Sequence, residues 1–449
     1  MIRLRSCPKS AASPLGKAVE PAETVVRARE ALDRLGGVLA ETVRVDTGRL
    51  GIPVFMSVAG PRARALLPGR KQMGKGSSPE QAEASALMEL AERYSFFSAF
   101  QEGRGLKTLR FSEAREVSPD PVIPVGRILQ AVGDEGLDPA TAEQALDLSP
   151  WRFARVLDVA GEQAVVAPVD LFKVLNEYNG ASAGNTPEES VLQGACELVE
   201  RHVSALSERM GPAMPTIDPA SVSNPVLLEL LQAFSDNGVN LALKDMTLGM
   251  PAPTVAALAW DPATFPDKSE IVYTAGTASS PDRAAIRAVT EVAQLAGDFE
   301  AGRVYEPSGL SKPATLEEAS RILAGPVVGI ETLPSLERED ILEELEELAA
   351  GLDRLGFRLY SLETTDSDLG LPAHYNFVPG FAFRERTSRG LGQLVGRRLA
   401  EEGEVVESVA GMDRLAELLG PAPWLDFQRG LLALRMGDPV SAEELFARS

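Results

Sequence analysis

The sequence predicts a mixed α/β (α+β) fold, built from pseudo-symmetric units of strand, turn, strand and helix and ending in a short helical tail. Two repeated features support this prediction. A Leu-Gly-x-Pro turn occurs three times, each time after an acidic residue and a threonine, and three amphipathic helices repeat similar polar residues at one spacing. The chain has 449 residues, 44% of them hydrophobic, which is enough for a large core and one or two domains.

The recurring turns divide the chain into units. Short apolar runs flank each turn and indicate strands, and a helix is predicted to follow each unit. The segment 155–172 is a more distant relative that leads into a helix at 187–203. Such duplication predicts helices packed against sheet. The turns lie at 50–53, 248–251 and 369–372, and the helices at 79–97, 281–299 and about 385–402.

Three helices each carry one polar stripe at positions i, i+4 and i+7. At 3.6 residues per turn these positions lie within about 60° of one another, and the apolar residues face away. Taken alone, each stripe is more typical of a surface helix with its charged face in water. The repetition of the same residue types favours a shared site. The stripes are Ser85, Glu89 and Glu92; Gln193, Glu197 and Glu200; and Arg287, Glu291 and Gln294.

The acidic residues of these stripes indicate a metal site. Aligned carboxylates repel one another unless a cation lies between them, and oxygen ligands are the ones that Mg²⁺ prefers. Two of the helices share the pattern Glu-Leu-x-Glu-Arg, at 89–93 and 197–201. We therefore predict a site for magnesium and phosphate between these helices.

Two turns rich in small residues, at 73–81 and 179–187, precede the acidic helices. Their composition suits an anion held at a helix N-terminus, although the Walker A spacing is absent. A turn followed by a helix cap explains the same residues. We expect both roles, because each turn leads directly into a helix that carries carboxylates.

The remaining segments predict covering elements. Residues 101–150 are expected to form an insertion with a helix at 139–147, and the acids of a helix at 335–356 are expected to face water. The last residues predict two helices joined at 437–439. Further predictions are a helix between Lys17 and Gly36, two strands within 38–60, a helix at 224–237 and a strand at 239–245.

Composition excludes several classes of function. The formal net charge of −21 argues against nucleic acid as the main partner, because like charges oppose binding. Two cysteines and two histidines provide neither a disulfide framework nor a histidine-rich zinc site. The sequence contains no long uncharged apolar run, so we predict no membrane span. We expect a cytoplasmic protein that binds neither membrane nor nucleic acid.

Several motifs together resemble the YcaO family, across roughly residues 17–385. They are GKGSSPEQAEASALMELAERY, NGASAGNTPEESVLQGACELVERH, DRAAIRAVTEVAQ and NFVPGFAF. The resemblance implies an enzyme that uses ATP and Mg²⁺ to phosphorylate a backbone amide oxygen of a peptide or protein. A nucleophile then adds at the amide carbon, and loss of phosphate gives an azoline, thioamide or amidine.

The resemblance also implies roles for individual residues. The metal ligands are Glu89, Glu92, Glu197 and Glu200, and catalysis is assigned to Glu197, Glu200 and Arg201. The nucleotide pocket is formed by Lys17, Thr24, Ser85, Asn185, Glu189, Gln193, Arg201, Arg287 and Glu291.

The substrate is less defined by the sequence. Family members that form azolines in peptide natural products commonly end in a proline-rich segment, whereas this chain ends EELFARS. We therefore expect an amide-modifying enzyme other than a standard azoline cyclodehydratase, with thioamide- and azoline-type products both left open and a sulfur-delivery or accessory protein as a candidate partner. The resemblance further implies a homodimer, a catalytic domain at 1–390 and a helical tail at 391–449.

Two alternatives to an amide-modifying enzyme stay open. The tail resembles one tetratricopeptide-like hairpin, as in stand-alone members linked to ribosomal protein S12 methylthiolation, which fits an ATP-binding accessory protein. An acidic scaffold that binds no nucleotide is the third reading. A pair of helices that merely caps the fold explains the tail equally well.

Overall fold

A computed structural model describes residues 3–11, 16–46, 49–210, 214–296, 299, 313–384 and 390–449. These residues contain sixteen α-helices and fourteen strands in three sheets. The strands are β1 (Leu39–Arg44), β2 (Val54–Ala59), β3 (Lys71–Lys75), β4 (Lys107–Leu109), β5 (Trp151–Asp158), β6 (Gln163–Pro168), β7 (Ala181–Ala183), β8 (Thr216–Ile217), β9 (Asn240–Asp245), β10 (Thr254–Trp260), β11 (Val272–Thr277), β12 (Val327–Val328), β13 (Tyr360–Glu363) and β14 (Ala373–Phe377).

The described helices outnumber the ten that the sequence predicts, and no described helix combines the length and the hydrophobicity that a membrane span requires. They are α1 (Pro21–Leu35), α2 (Pro61–Arg64), α3 (Pro79–Glu102), α4 (Phe111–Val117), α5 (Val125–Val132), α6 (Pro139–Leu146), α7 (Val169–Asn176), α8 (Pro187–Met210), α9 (Pro225–Asp236), α10 (Pro281–Ala296), α11 (Leu316–Leu323), α12 (Ile341–Arg354), α13 (Leu391–Glu401), α14 (Val405–Leu419), α15 (Pro423–Arg435) and α16 (Pro439–Phe446).

The three Leu-Gly-x-Pro turns share one hydrogen-bonding pattern. Their glycines have φ of 67°, 78° and 69°, in the left-handed region that glycine tolerates best. In each turn a side-chain oxygen accepts a hydrogen bond from the backbone N–H at the start of the next strand. The pairs are Val54 N to Asp46 Oδ1 at 3.0 Å, Thr254 N to Thr247 Oγ1 at 3.2 Å, and Ala373 N to Thr365 Oγ1 at 3.0 Å.

The predicted α/β fold is confirmed, and its repeating unit is larger than expected. The first two turns are each followed by two strands before the helix, giving the antiparallel series β1-β2-β3 with α3 and β9-β10-β11 with α10. In the second sheet β8 and β12 extend the series beyond β9. Strands β3 and β11, which both contain glycine, were not predicted from the sequence.

The third unit is assembled from two distant parts of the chain. Strand β13 pairs with β14, and β14 pairs with β7, which precedes α8. The helix that follows β7 and packs on β7 and β14 is therefore α8. The prediction that the helix at about 385–402 would take this place is wrong. Its observed counterpart, α13, packs against α6, α14 and α15, and residues 385–389 lie outside the described part of the chain.

The predicted insertion and the C-terminal tail share one core. Leu391 and Leu394 of α13 belong to the same buried cluster as Ala142 and Leu146 of α6. Strand β4 from this region joins β5, and β6 pairs with the other edge of β5. The turn at Gly437 separates α15 and α16, as predicted from the sequence. The division into domains 1–390 and 391–449 stays a prediction, since the two parts pack together.

One acidic residue of α12 contradicts the prediction of a solvated face. Glu344 is buried, with its side chain 1% exposed. It lies between Ile341 and Leu348 on the apolar face of the helix, at spacings of three and four residues. The helical period therefore places this carboxylate in the protein interior.

Candidate active site

A cavity of about 700 Å³ lies between α3, α8, α10 and the residues that lead into α1. The polar stripes of the three helices face it, because each helix turns its apolar face toward a sheet or a neighbouring helix. All of the predicted site residues line the cavity: Lys17, Thr24, Ser85, Glu89, Glu92, Asn185, Glu189, Gln193, Glu197, Glu200, Arg201, Arg287 and Glu291.

The carboxylates of α3 and α8 are paired with arginines that follow them on the same helices. Arg93 Nη1 lies 3.0 Å from Glu92 Oε1, and Arg93 Nη2 lies 3.6 Å from Glu89 Oε1. On α8, Arg201 Nε lies 3.9 Å from Glu197 Oε1. The Arg93 guanidinium also stacks on the Tyr178 ring, 4.3 Å from its centroid. The two Glu-Leu-x-Glu-Arg patterns thus face each other across the cavity.

Burial makes the negative charge of this group costly. Desolvation raises the pKa of Glu89, of Glu197 and, by the largest amount, of Glu92. Arg93 lowers the pKa of all three, while the neighbouring glutamates raise it further. A cation placed among them would stabilise the ionised carboxylates.

The described part of the chain contains no complete protein cage for a metal ion. Among the described residues, no three Asp, Glu, His or Cys side chains lie close enough together to hold one ion. Mg²⁺ is usually bound by one or two carboxylates together with water and substrate phosphates. The arrangement therefore fits a metal that is bound together with a phosphate compound, and the assignment of four glutamates as ligands stays a prediction.

Further cationic side chains, Arg287 and Lys17, line the cavity. Arg287 Nη1 donates a hydrogen bond to Gln193 Oε1 at 3.1 Å. Arg287 Nε is buried and has no hydrogen-bond partner among the described residues. Lys17 Nζ lies 3.6 Å from Glu189 Oε1 and 3.5 Å from Gln193 Oε1. A buried guanidinium with an unused donor suits an anionic ligand.

A chain of hydrogen bonds connects α1 to the start of α8. Thr24 Oγ1 donates to Asn185 Oδ1 at 3.1 Å, and Asn185 Nδ2 donates to Glu189 Oε1 at 3.1 Å. The backbone N–H of Ala18 donates to Glu189 Oε2 at 3.1 Å. These bonds fix the orientation of three predicted pocket residues and of the segment that carries Lys17.

The turns proposed to hold an anion are both occupied by helix-capping bonds. Ser77 N and Oγ donate to Gln81 Oε1 at 2.8 and 2.9 Å, and Ser78 Oγ accepts from Gln81 N at 3.3 Å. At α8, Thr186 Oγ1 accepts from Glu189 N at 3.2 Å. The capping role is therefore observed. An additional role in binding phosphate stays a prediction, since Ser77 and Asn185 line the cavity.

Three basic residues of the cavity were not among the predicted site residues, namely Lys75, Arg93 and Arg283. Lys75, at the end of β3, forms an ion pair with Glu291, and burial, followed by the charge of Arg287, lowers the pKa of Lys75 to about 7. Arg93 is the second. Its signal was present in the sequence, because it occupies the position in the first Glu-Leu-x-Glu-Arg pattern that Arg201 occupies in the second.

Cys196 is among the residues that line the cavity, whereas His202 and His374 are not. Cys196 is buried, and desolvation raises the pKa of its thiol to about 12. His374 Nδ1 and Ser190 Oγ form a buried hydrogen bond of 2.9 Å, and His202 stacks on Phe381. Both histidines therefore make structural contacts in the protein interior.

Relatives and structures of the same fold are known. The chain is 30% identical over 295 residues to an uncharacterized protein of Methanothermobacter thermautotrophicus, covering 62% of this chain and 70% of that protein. It is 28% identical over 211 residues to the Escherichia coli ribosomal protein S12 methylthiotransferase accessory factor YcaO, covering 42% of this chain and 35% of that protein.

Among solved structures, YcaO from Methanopyrus kandleri, bound with AMPPCP and Mg²⁺, matches with a TM-score of 0.62 and 22% identity over 84% of this chain and 95% of that chain. A heterocyclase in complex with substrate and cofactor matches with a TM-score of 0.65 and 23% identity over 85% of this chain. The present chain spans about half of that heterocyclase, covering 54% of it. These likenesses establish a shared fold.

Residues 73–382 match the family model described as YcaO cyclodehydratase, ATP- and Mg²⁺-binding. The match covers more than half of the chain and includes α3, α8 and α10. The family description confirms ATP and Mg²⁺ as the predicted cofactors. The resemblance drawn from the sequence motifs is thereby confirmed, and the chain belongs to the YcaO family.

Proposed function

We propose that this protein uses ATP and Mg²⁺ to phosphorylate a backbone amide oxygen of a peptide or protein substrate, leading to a thioamide- or azoline-type product. The observation that carries the proposal is the cavity between α3, α8 and α10. There, glutamates from two helices face cationic side chains from the third helix and from the chain before α1.

The residues of the cavity fit both cofactors. Carboxylates whose pKa is raised by burial are stabilised by a divalent cation, and the unpartnered Arg287 Nε is a donor for phosphate oxygen. In this proposal Arg201 and Lys17 also contact the phosphates. The metal ligands are Glu89, Glu92, Glu197 and Glu200, and the other pocket residues are Thr24, Ser85, Asn185, Glu189, Gln193 and Glu291.

The chemistry requires positioning more than covalent participation by the protein. When bound, ATP would supply the phosphoryl group, and Mg²⁺ would neutralise the charge that develops during its transfer. The amide oxygen attacks the γ-phosphorus, and ADP leaves. A nucleophile then adds to the amide carbon, and phosphate leaves from it. The cationic residues hold the phosphates in line, which matters because an amide oxygen is a weak nucleophile.

The test measures ATP turnover and product mass together. Purified protein is incubated with Mg²⁺, ATP and candidate peptides, with and without sulfide, and intact masses are recorded. We expect loss of water or exchange of oxygen for sulfur in the peptide, abolished by Glu197→Gln and Glu200→Gln. Glu102→Gln is the control, because Glu102 lies at the end of α3 outside the cavity and is 56% exposed. Unchanged ATP hydrolysis in the two cavity variants would refute the assignment.

A second candidate is an ATP-binding accessory protein that regulates a partner without modifying an amide. The sequence likeness to the E. coli accessory factor and the helical hairpin of α15 and α16 favour it. ATP hydrolysis that depends on Glu197 while every tested peptide keeps its mass, in the presence of a partner protein, would support this candidate. Absence of any thermal shift with ATP and Mg²⁺ would exclude both candidates in favour of an acidic scaffold.

The thioamide product, the sulfur-delivery or accessory partner, the homodimer and the cytoplasmic location remain predictions from the sequence. The neighbouring genes can test the predicted thioamide product and the predicted partner protein. A nearby gene for a short precursor peptide would favour the biosynthesis of a modified peptide. A nearby gene for a sulfur carrier would favour thioamidation of the substrate.

A further inference from the structure

The first described residues of the chain form a strap, residues 3–11, that crosses from α8 to the start of α12. Its backbone bonds to both helices. Arg5 N donates to Glu188 Oε1 at 2.7 Å, Cys7 N donates to Asp340 Oδ1 at 2.9 Å, and Cys7 O accepts from Ile341 N at 2.9 Å. Residues 3–11 are therefore held in place on both sides.

The strap is also held by a buried ion pair between Lys9 and Glu344, whose side chains are 8% and 1% exposed. Glu344 is the buried carboxylate of α12 to which the proposed reaction assigns no role. Its second oxygen, Oε2, accepts a hydrogen bond from Ser279 Oγ at 2.7 Å, and Arg283 Nη1 lies 3.7 Å from Oε1. Removing one member of such a pair leaves the other charge uncompensated in the interior.

The strap connects directly to the nucleotide pocket. Ser10, the neighbour of Lys9, donates its backbone N–H to the carbonyl oxygen of Lys17 at 2.9 Å. Gly16, with φ of 63°, lies so close to the Arg283 guanidinium that a Cβ atom would collide with it. Arg283 is held in turn by Glu337, at 2.7 Å, and by Glu344. Two groups that contact Glu344 therefore restrict the Lys17 backbone. Lys9 does so through its neighbour Ser10, and Arg283 does so through its close approach to Gly16.

We propose that Glu344 is a positioning residue that acts through Lys9 and the strap to hold Lys17 in the nucleotide pocket. The inference rests on the proposed function in one respect, namely that Lys17 contacts the nucleotide. Glu344 is among the residues that line the cavity, and because its two oxygens are bound by Lys9, Arg283 and Ser279, it positions the pocket in this proposal rather than binding the nucleotide. Its carboxylate fixes Lys9, Ser10 follows Lys9 in the strap, and the Ser10 backbone fixes Lys17 beside Glu189 and Gln193.

The test measures binding of a non-hydrolysable ATP analogue with Mg²⁺ by titration calorimetry, so that no peptide substrate is needed. The variants are Lys9→Met, Glu344→Gln, Lys17→Met and the double variant of Lys9 and Lys17. Lys9→Met is the milder change, because Glu344 keeps Ser279 and Arg283 as partners. Glu343→Gln is the matched control, since Glu343 is an exposed glutamate next to Glu344 on α12. Thermal melts check that each variant is folded.

We expect Lys9→Met to raise the dissociation constant about fivefold or more, and Glu343→Gln to leave it within about twofold. In the Lys17→Met background, Lys9→Met should have no further effect, because the strap acts through Lys17. An equal effect of Lys9→Met in both backgrounds, or unchanged binding in a folded Lys9→Met variant, would overturn the inference. Failure of the unmodified protein to bind the analogue would instead overturn the proposed function.

Discussion

At the scale of single residues, Arg93 provides a positive charge beside the carboxylates of α3. Its guanidinium contacts Glu89 and Glu92, and burial raises the pKa of both carboxyls despite this partner. Without a cation, the carboxylates of α3 would repel those of α8. Arg93 therefore contributes to the charge balance of these carboxylates, together with Lys75 and Arg201.

Arg93→Met should lower the free energy of unfolding and increase the stabilisation by Mg²⁺. Because Arg93 and Glu92 are 19% and 13% exposed, we expect a loss of about 1–3 kcal/mol, below that for a fully buried pair. Millimolar Mg²⁺ should raise the melting temperature of the variant more than that of the unmodified protein. Thermal melts with and without Mg²⁺ measure both effects.

Arg29→Met is the control for this prediction. Arg29 pairs with Glu83, on the same helix as Glu92, but the arginine side chain is 43% exposed and lies outside the cavity. We expect a loss of no more than about 1 kcal/mol and no additional response to Mg²⁺. Similar responses of the two variants to Mg²⁺ would contradict a cation-binding role for the α3 carboxylates.

The buried imidazole of His374 should make the free energy of unfolding depend on pH. Burial lowers its pKa from 6.5 to about 3, so between these values the unfolded chain binds a proton that the folded chain does not. The free energy of unfolding should therefore fall as the pH is lowered through this window, by up to about 1.4 kcal/mol per pH unit from this residue.

Urea unfolding of the unmodified protein and of His374→Asn at several pH values tests this expectation. The asparagine can keep a hydrogen bond to Ser190 but does not titrate. Between pH 6.5 and 4 the variant should lose stability less steeply, while above pH 7 the two slopes should coincide. Identical slopes throughout would show that His374 is protonated as readily in the folded protein as in the unfolded chain.

At the scale of elements, close approach between strands and helices positions the cavity residues. Gly74 of β3 packs against α3, where a Cβ atom would overlap the backbone of Ala82 and Ala86. Gly276 of β11 packs against the backbone of α10 in the same way. The contact at Gly74 holds the end of β3, and with it Lys75, beside the helix that carries Glu89 and Glu92.

Gly74→Ala should destabilise the fold by about 1–3 kcal/mol, because the added methyl group must push β3 away from α3. Chemical denaturation gives the change in free energy of unfolding. Gly136→Ala provides the control, since no atom lies within 4 Å of the position that its Cβ would take. A Gly74→Ala variant as stable as the control would mean that this packing is looser than the structure indicates.

The element scale also shows what the sequence can and cannot predict. Helical periodicity places Glu197 and Glu200 on one face whatever the tertiary context, so the acidic stripes were found. Strand β3 was missed because KQMGK has no alternation of apolar and polar residues. The spacing of Ile341, Leu345 and Leu348 is enough to predict that Glu344 is buried. The number of acidic residues on α12 instead favoured the prediction of a solvated helix face.

At the scale of the whole molecule, the pairing of strands that are distant along the chain could not be predicted from the sequence. The third turn predicted a strand pair correctly, but β14 pairs with β7, almost two hundred residues earlier in the chain. Nothing local in either strand specifies that partner, because register and pairing depend on burial of both faces in the assembled core. The helices could therefore be assigned to a common site while the sheet that supports α8 could not.

The shared core of tail and insertion leads to a prediction for truncated chains. A chain that ends at residue 390 should lose protection of α6 against hydrogen exchange, because Ala142 and Leu146 would lose their contacts with α13. A chain that ends at Gly437 lacks α16 alone and should keep this protection, since α16 packs on α15. Mass spectrometry of α6 peptides gives the comparison. Full protection in the shorter chain would indicate an independent tail.

The central claim is that one cavity, between α3, α8 and α10, binds ATP together with divalent metal. The most direct measurement is a crystal structure with a non-hydrolysable ATP analogue and Mn²⁺, recorded with anomalous scattering from the manganese. We predict manganese between the glutamates of α3 and α8, and phosphate oxygens within hydrogen-bond distance of Arg287. Nucleotide bound elsewhere on the protein, or manganese without contact to Glu89, Glu92, Glu197 or Glu200, would contradict the claim.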